Sequence, residues 1–493
     1  MKKKKAILAM LLGITVLTAW PAAEAMAETG TYTYTYDYWG TGRESPDAYR
    51  AEAFITGAAL GIGDFKEPQG IFVRGDLIYL CDTGNDRIVV LKKTGSGFLV
   101  EREIRELSGS TSQKTLSGPQ DIYVMENGDC YICDTKNQRV VHTDESGRVI
   151  KEMTRPVDET VDQNSDFLPL KAVTDASGRT FVLVKNHNKG FLEFEKDGTF
   201  SGYIGANEVK FDLADYMWKS LATKAQKEQM EQFVPTEYNN LALDADGFLY
   251  ATTSVFEEYE LKSDAAKPIR KLNSMGTDIL VKNGNYPPIG DLEWGDAGGV
   301  SGASRLVDVT PMENDTYYAL DRNRGRIFGY DSQGNLLYAF GGLGNQLGYL
   351  RYPAALDHMG SDLLVLDSQT CGITVFGLTQ YGKLINQGLE EYLKGDYDQS
   401  AAYWREVLMQ NGNYDLAYIG IGRSLLRQGE YQAAMDYFEL KRDSRNYSKA
   451  YKLYRKDWIE AHIGWIFGGI LLLIAINGGV KVVRKVKKEV EEA

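Results

Sequence analysis

The sequence predicts an all-β domain built from a repeated four-stranded unit, then an all-α helical domain and one membrane-spanning helix. Three observations carry this. Residues 66–104 hold four short apolar runs separated by turn residues, and the pattern recurs as far as residue 378. Residues 381–455 change to helical periodicity with a 34-residue internal repeat. Residues 463–480 form an 18-residue stretch without Asp, Glu, Lys or Arg, long enough to cross a bilayer core.

Taken in order, residues 1–27 read as a secretory signal. Lys2 to Lys5 form a basic start, residues 6–19 are apolar, and Ala25-Met26-Ala27 fits the small-x-small cleavage rule. No cysteine lies there, so the signal is not of the lipoprotein kind. Residues 28–50 are rich in tyrosine. Within them TYTYTYDY, residues 31–38, alternates with period 2. That pattern fits an exposed aromatic strand for glycan stacking or an edge strand laid on the repeat domain.

The first repeat is clearest in residues 66–98, KEPQGIFVRGDLIYLCDTGNDRIVVLKKTGSGF. Its apolar runs are strand-length and rich in β-branched and aromatic residues. Arg74-Gly75-Asp76, residues 82–86 and residues 94–97 supply the turns. The unit resembles an NHL-repeat blade, and that resemblance implies a six-bladed β-propeller over residues 51–378. Further copies run from Pro119, Lys171, Asn239, Arg305 and Ala354. In the fourth copy residues 258–262 and 269–273 are read as third and outer strands. The sixth copy lacks an outer strand. Residues 51–57, AEAFITG, resemble the end of a blade and are expected to complete it, closing the ring and removing its edge.

Asp82/Arg87, Asp134/Arg139 and Asp321/Arg326 share one spacing, D-x4-R. The resemblance implies that they are structural, the carboxylate accepting turn amides and pairing with the guanidinium. Two insertions interrupt the rhythm: residues 212–233, read as surface helix, and residues 282–302, read as a loop. Both fall between an outer strand and the next inner strand, so both are expected on the face that carries the Asp/Arg turns.

Residues 379–457 read as paired helices. Gly388/Gly422, Gly395/Gly429, Tyr397/Tyr431, Ser400/Ala434 and Trp404/Phe438 each lie 34 apart. In length and in its small and aromatic positions this resembles tetratricopeptide repeats, two copies with a partial third from Tyr447. After the apolar segment come Lys481, Arg484, Lys485, Lys487 and Lys488, which make residues 481–493 a basic cytoplasmic tail by the positive-inside rule. The propeller and helical repeats are then expected outside the cell. Gly464 and Gly468 make one GxxxG spacing in the apolar segment.

The chain carries a net charge of −13, and its two ends are basic, so the body between them is more acidic still. That excludes a nucleic-acid partner and a body held on an anionic membrane surface. Cys81, Cys130, Cys133 and Cys371 are too few for a disulfide framework. Cys130 and Cys133 lie three apart on one predicted strand, so they point to opposite faces and read as small buried hydrophobes.

No catalytic constellation is found. His142, His187 and His358 stand in no metal-binding spacing, and neither GxSxG nor a phosphate-binding glycine loop occurs. No metal site and no cofactor are expected. The binding residues expected are those at the channel mouth, Lys171, Asn239, Asn240 and Arg305, together with Tyr286, Asp291, Glu293 and Trp294 of the second insertion. Gln69, Gln120 and Asp121 share the mouth. The reading is a membrane-anchored extracytoplasmic binding or scaffold protein, its partner a protein or a cell-wall or extracellular carbohydrate. The six-bladed shape shared with the gluconolactonase family leaves a metal-dependent hydrolase as an alternative, although that family's ligands find no match here. An accessory subunit of a membrane transporter is a third.

Overall fold

The structure, a computed structural model, describes residues 32–95, 97–206, 237–253, 267–283, 286–291 and 302–492. Residues 1–27, residues 212–233 and residues 258–262 lie outside these, as do Glu293 and Trp294.

Six antiparallel sheets stand around one axis. Blade one runs Gly70–Arg74, Leu77–Asp82, Arg87–Thr94 and Gly97–Ile104 from the inside outward. The inner strands of the next five blades are Pro119–Val124, Pro169–Thr174, Tyr238–Leu243, Leu306–Pro311 and Pro353–Met359. Each inner strand contacts the next, and the sixth contacts the first, so the ring is closed. Apolar side chains fill each space between neighbouring blades. Ile78, Leu80 and Val89 of blade one meet Leu364, Leu366 and Ile373 of blade six, for example. Cys130 faces blade one and Cys133 faces blade three, opposite sides of one strand as the spacing requires.

The strand Tyr49–Thr56 pairs antiparallel with Gly372–Leu378 and supplies the outer strand of blade six. First and last parts of the propeller thus meet in one sheet, which removes the unpaired edge. The tyrosine-rich segment adds a second strap. Tyr34–Tyr36 pairs with Leu336–Gly341, the outer strand of blade five, and Gly42–Glu44 pairs back on it. Of the two readings of this segment, the structure has the edge strand.

Blade four departs from expectation. Ile269–Leu272 pairs directly with Leu249–Thr253, so it is the third strand rather than the outer one. Ile269 and Leu272 supply the two buried aliphatic side chains that this position needs against blades three and five.

The chain then enters five helices: α1 (Gln380–Lys394), α2 (Tyr397–Gln410), α3 (Asp415–Gln428), α4 (Tyr431–Leu440) and α5 (Ser444–Glu491). The 34-residue repeat has a physical basis. Gly395 and Gly429 end α1 and α3 in the left-handed conformation, φ 87° and 86°, where a Cβ is costly. Gly388 and Gly420 both lie against Trp404, and Gly422 lies against Phe438. A Cβ on Gly420 would sit 2.5 Å from the Trp404 ring nitrogen. Small residues therefore let the helices approach, and the aromatic ring of the neighbouring helix fills the gap.

The helices pack on the propeller. Tyr381, Leu384, Trp404, Tyr414 and Ile421 share one buried cluster with Tyr318, Tyr338 and Phe340 of blade five and Leu356 and Phe376 of blade six. The Tyr414 hydroxyl donates to the Leu337 carbonyl at 2.9 Å. α5 has 48 residues. Its first turns pack on α4 through Ala450 and Tyr447, and an apolar window with mean hydropathy 2.1 follows, long enough to cross a membrane.

Candidate functional site

Asp82, Asp134 and Asp321 each end the second strand of a blade and pin the segment that leads into the first. Asp82 accepts from Lys66 N (2.7 Å), Asp134 from Ser117 N (2.7 Å) and Asp321 from Arg305 N (2.8 Å). Arg87 pairs with Asp82 at 2.6 Å and Arg139 with Asp134 at 2.8 Å, all four side chains being buried. The third pair is not formed. Arg326 turns its guanidinium to Asp291, and Asp321 instead takes the Ser304 hydroxyl at 2.7 Å. The strap accompanies this change: Tyr34 and Tyr36 bring their hydroxyls to the same buried Asp291 carboxylate, and Arg326 joins them there. Burial first, and Asp291 beside them second, push both phenols far above the ordinary tyrosine range.

Asp291 is therefore 4% exposed and structural, not the surface contact expected of it. Tyr286 is also displaced from expectation. It packs on the Tyr36 ring, and it lines a cleft with Leu416, Ile419 and Arg442 of the helical repeats, away from Lys171. The first residues of this insertion run beside blade five on the helix side, where Asn283 N donates to the Gln333 carbonyl.

The channel mouth is more closed than its polarity implies. Lys171 binds Asp121 at 3.1 Å, and only 17% of its side chain is exposed. Asn240 is fully buried and donates to Asp308, so it joins two inner strands rather than facing a ligand. Asn239 donates to the Leu306 carbonyl at 2.9 Å. Arg305 stays exposed.

Around the axis, Asp121, Asp308 and Asp357 each accept a backbone N–H from the inner strand of the next blade, from Ala172 (3.3 Å), Leu356 (2.8 Å) and Val73 (2.7 Å). Sequence reasoning missed this role for Asp308 and Asp357. The signal lay in an acidic residue inside an apolar inner strand. Burial pushes the Asp308 carboxyl up to about 6, against the pull of Lys171. Burial likewise works against the Lys171 charge, but Asp121 and Asp308 outweigh it and hold the ammonium above the usual lysine range. Among the described residues, no three His, Cys, Asp or Glu side chains converge as a metal-ligand set.

A wide opening lies elsewhere, between the underside of blade five and the helices. This cleft of about 630 Å³ is walled by Thr316, Asp331 and Gln333 of the propeller and by α1, α3 and α5. Leu389, Tyr392, Leu426 and Leu453 give it an apolar floor, and Arg423, Arg427, Lys449 and Lys452 surround it. Its volume is that of an ordinary ligand site.

No protein-family model matches this chain, and no curated protein matches it. Among solved structures, virginiamycin B lyase of Staphylococcus aureus is similar at 11% identity, over 67% of this chain and 100% of that one, with a TM-score of 0.39. Hydrazine synthase of Kuenenia stuttgartiensis is similar at 10% identity, over 73% and 99%, with a TM-score of 0.39. A protein of unknown function from Bacteroides caccae follows at 8% identity, over 63% and 93%, with a TM-score of 0.33. Likeness at this level carries no argument about activity. The six-bladed architecture rests on this chain's own strand order.

Proposed function

We propose that this chain is a membrane-anchored extracytoplasmic binding protein. In this reading the propeller and helical repeats form the recognition body, and the partner is a protein or an extracellular carbohydrate. The observation that carries it is α5. One continuous helix begins inside the last helical unit, against α4, and continues into a segment apolar enough to span a bilayer. The body is thereby held at a membrane with no flexible linker between. The basic residues after the apolar segment support a tail in the cytoplasm and a body outside. The helical repeats, with their tetratricopeptide-like spacing, act as stalk and as a second interaction surface. Exposed Arg305 and half-buried Asn239 leave the channel mouth as the propeller's own contact point.

The orientation is tested with protease added to intact cells. A tag after Ala493 should stay protected while the propeller is cut. Both parts cut, or both protected, would overturn the reading.

A further inference from the structure

We propose that the cleft between blade five and the helical repeats takes an acidic, leucine-bearing peptide segment of a partner protein. This rests on the binding-protein reading and names its site and ligand class. The argument starts from charge. The chain is acidic, yet the helical side of this cleft presents Arg423, Lys449 and Lys452. Among the described residues Lys449 and Lys452 form no ion pair, while Arg423 has only the through-space pull of Asp331. Asp331 is the one acid lining the cleft, and its oxygens are taken by Gln333 N (2.9 Å), Asn335 N (2.8 Å) and Asn335 Nδ2 (2.8 Å). The cleft continues past Arg423, Asn446 and Lys449 to a second opening beside Tyr36 and Tyr286. The acids there are also engaged: Asp37 by Arg43 at 2.9 Å, Asp415 by Lys441 at 2.8 Å, and Asp443 as the cap of α5. Lys449 and Lys452 remain available, and an anionic ligand would satisfy them.

The floor decides what kind of anion. Leu389, Tyr392, Leu426 and Leu453 are apolar and partly open to solvent, and a small inorganic ion would leave them wet. A peptide with carboxylates beside leucine side chains covers both surfaces at once. A nucleic acid would extend beyond the cleft over an acidic body and be repelled. Lys452 precedes the apolar segment by eleven residues, roughly 16 Å of helix, which past a headgroup layer of about 5–7 Å leaves about one Debye length to the bilayer surface, so a lipid headgroup meets these cations more weakly than a peptide seated in the cleft.

The test uses the full chain in nanodiscs of zwitterionic lipid and a fluorescent twelve-residue peptide of glutamates and leucines, followed by anisotropy. Binding should weaken as salt is raised. It should fall about tenfold or more in Arg423→Glu/Lys449→Glu and measurably in Lys449→Ala, as expected when close charge pairs are lost. Lys114→Glu, on an exposed loop before blade two, should bind as the parent does. A melting curve shows that each variant is folded. The proposal is overturned if the parent does not bind. It is also overturned if the charge-reversed variant binds equally well, or if a glutamine-for-glutamate peptide binds as tightly. Competition by phosphatidylglycerol in the nanodisc, lost with the same two residues, would assign the cleft to lipid and overturn it as well. The protease experiment reports separately on location, so failure of one reading does not decide the other.

Discussion

Arg139 is the largest fully buried side chain described, and it is charged. It is kept there by Asp134, Glu152 at 2.8 Å and the Gln113 carbonyl at 2.8 Å. Removing one partner of such a group leaves the other charges buried and unpaired. Arg139→Ala should therefore cost roughly 3–5 kcal/mol of stability, read by denaturant titration. A loss of under 1 kcal/mol would mean that the carboxylates find water. Asp308 behaves in the opposite sense. Its folded carboxyl, pushed up to about 6 from 3.8, holds its proton to a higher pH than the unfolded chain does. The stability this contributes is full below pH 4 and is lost as pH rises through 6. Between pH 4 and pH 7 the parent should lose about 2 kcal/mol relative to Asp308→Asn, which melting curves at both pH values would show. The D-x4-R spacing made two of the ion pairs legible in advance. It misled on Arg326, because the competing carboxylate, Asp291, comes from 35 residues away in sequence.

At the scale of elements, closure depends on one strand. Tyr49–Thr56 covers the full length of Gly372–Leu378 and buries Tyr49 beneath the helices. Deleting residues 28–57 would open the edge of blade six and remove the strap from blade five as well. The truncated chain should melt well below the parent and aggregate through the exposed edge. An unchanged melting temperature would show that the ring is held by its blade-to-blade contacts alone. The closing strand was legible because AEAFITG resembles the end of a blade and the sixth copy lacks an outer strand. The strap's place on blade five was not, since alternating tyrosines and threonines fit any open edge equally well.

Across the whole molecule, the propeller and the helices are joined by a core rather than by a linker. Tyr338, Phe340, Tyr381, Trp404 and Tyr414 are buried together. The two parts should therefore unfold in one calorimetric transition. Tyr414→Ala, which empties part of that core and removes the bond to Leu337, should lower it by several degrees or split it in two. Two transitions in the parent would contradict the shared core. The same joint gives the cleft its shape, since α3 and α5 form one wall and the turn at Asp331 the other.

The sequence alone determined the periodicities: four strands per unit, helices repeating every 34 residues, and an apolar stretch of bilayer length. These are local, set by the alternation of side chains along a strand and by the turns a backbone can make. Glycine at the ends of α1 and α3 belongs to the same class, because each answers a constraint of its own helix end. Tertiary structure decided which carboxylate meets which guanidinium, which edge the tyrosine strap covers, and where the helices dock. Asp291 and Tyr286, read as surface contacts, proved to be buried or turned toward the helices. The cleft under blade five is bounded by residues 314–333 and 389–453. No local pattern links segments that far apart, because only the docking of two separately patterned domains brings them face to face.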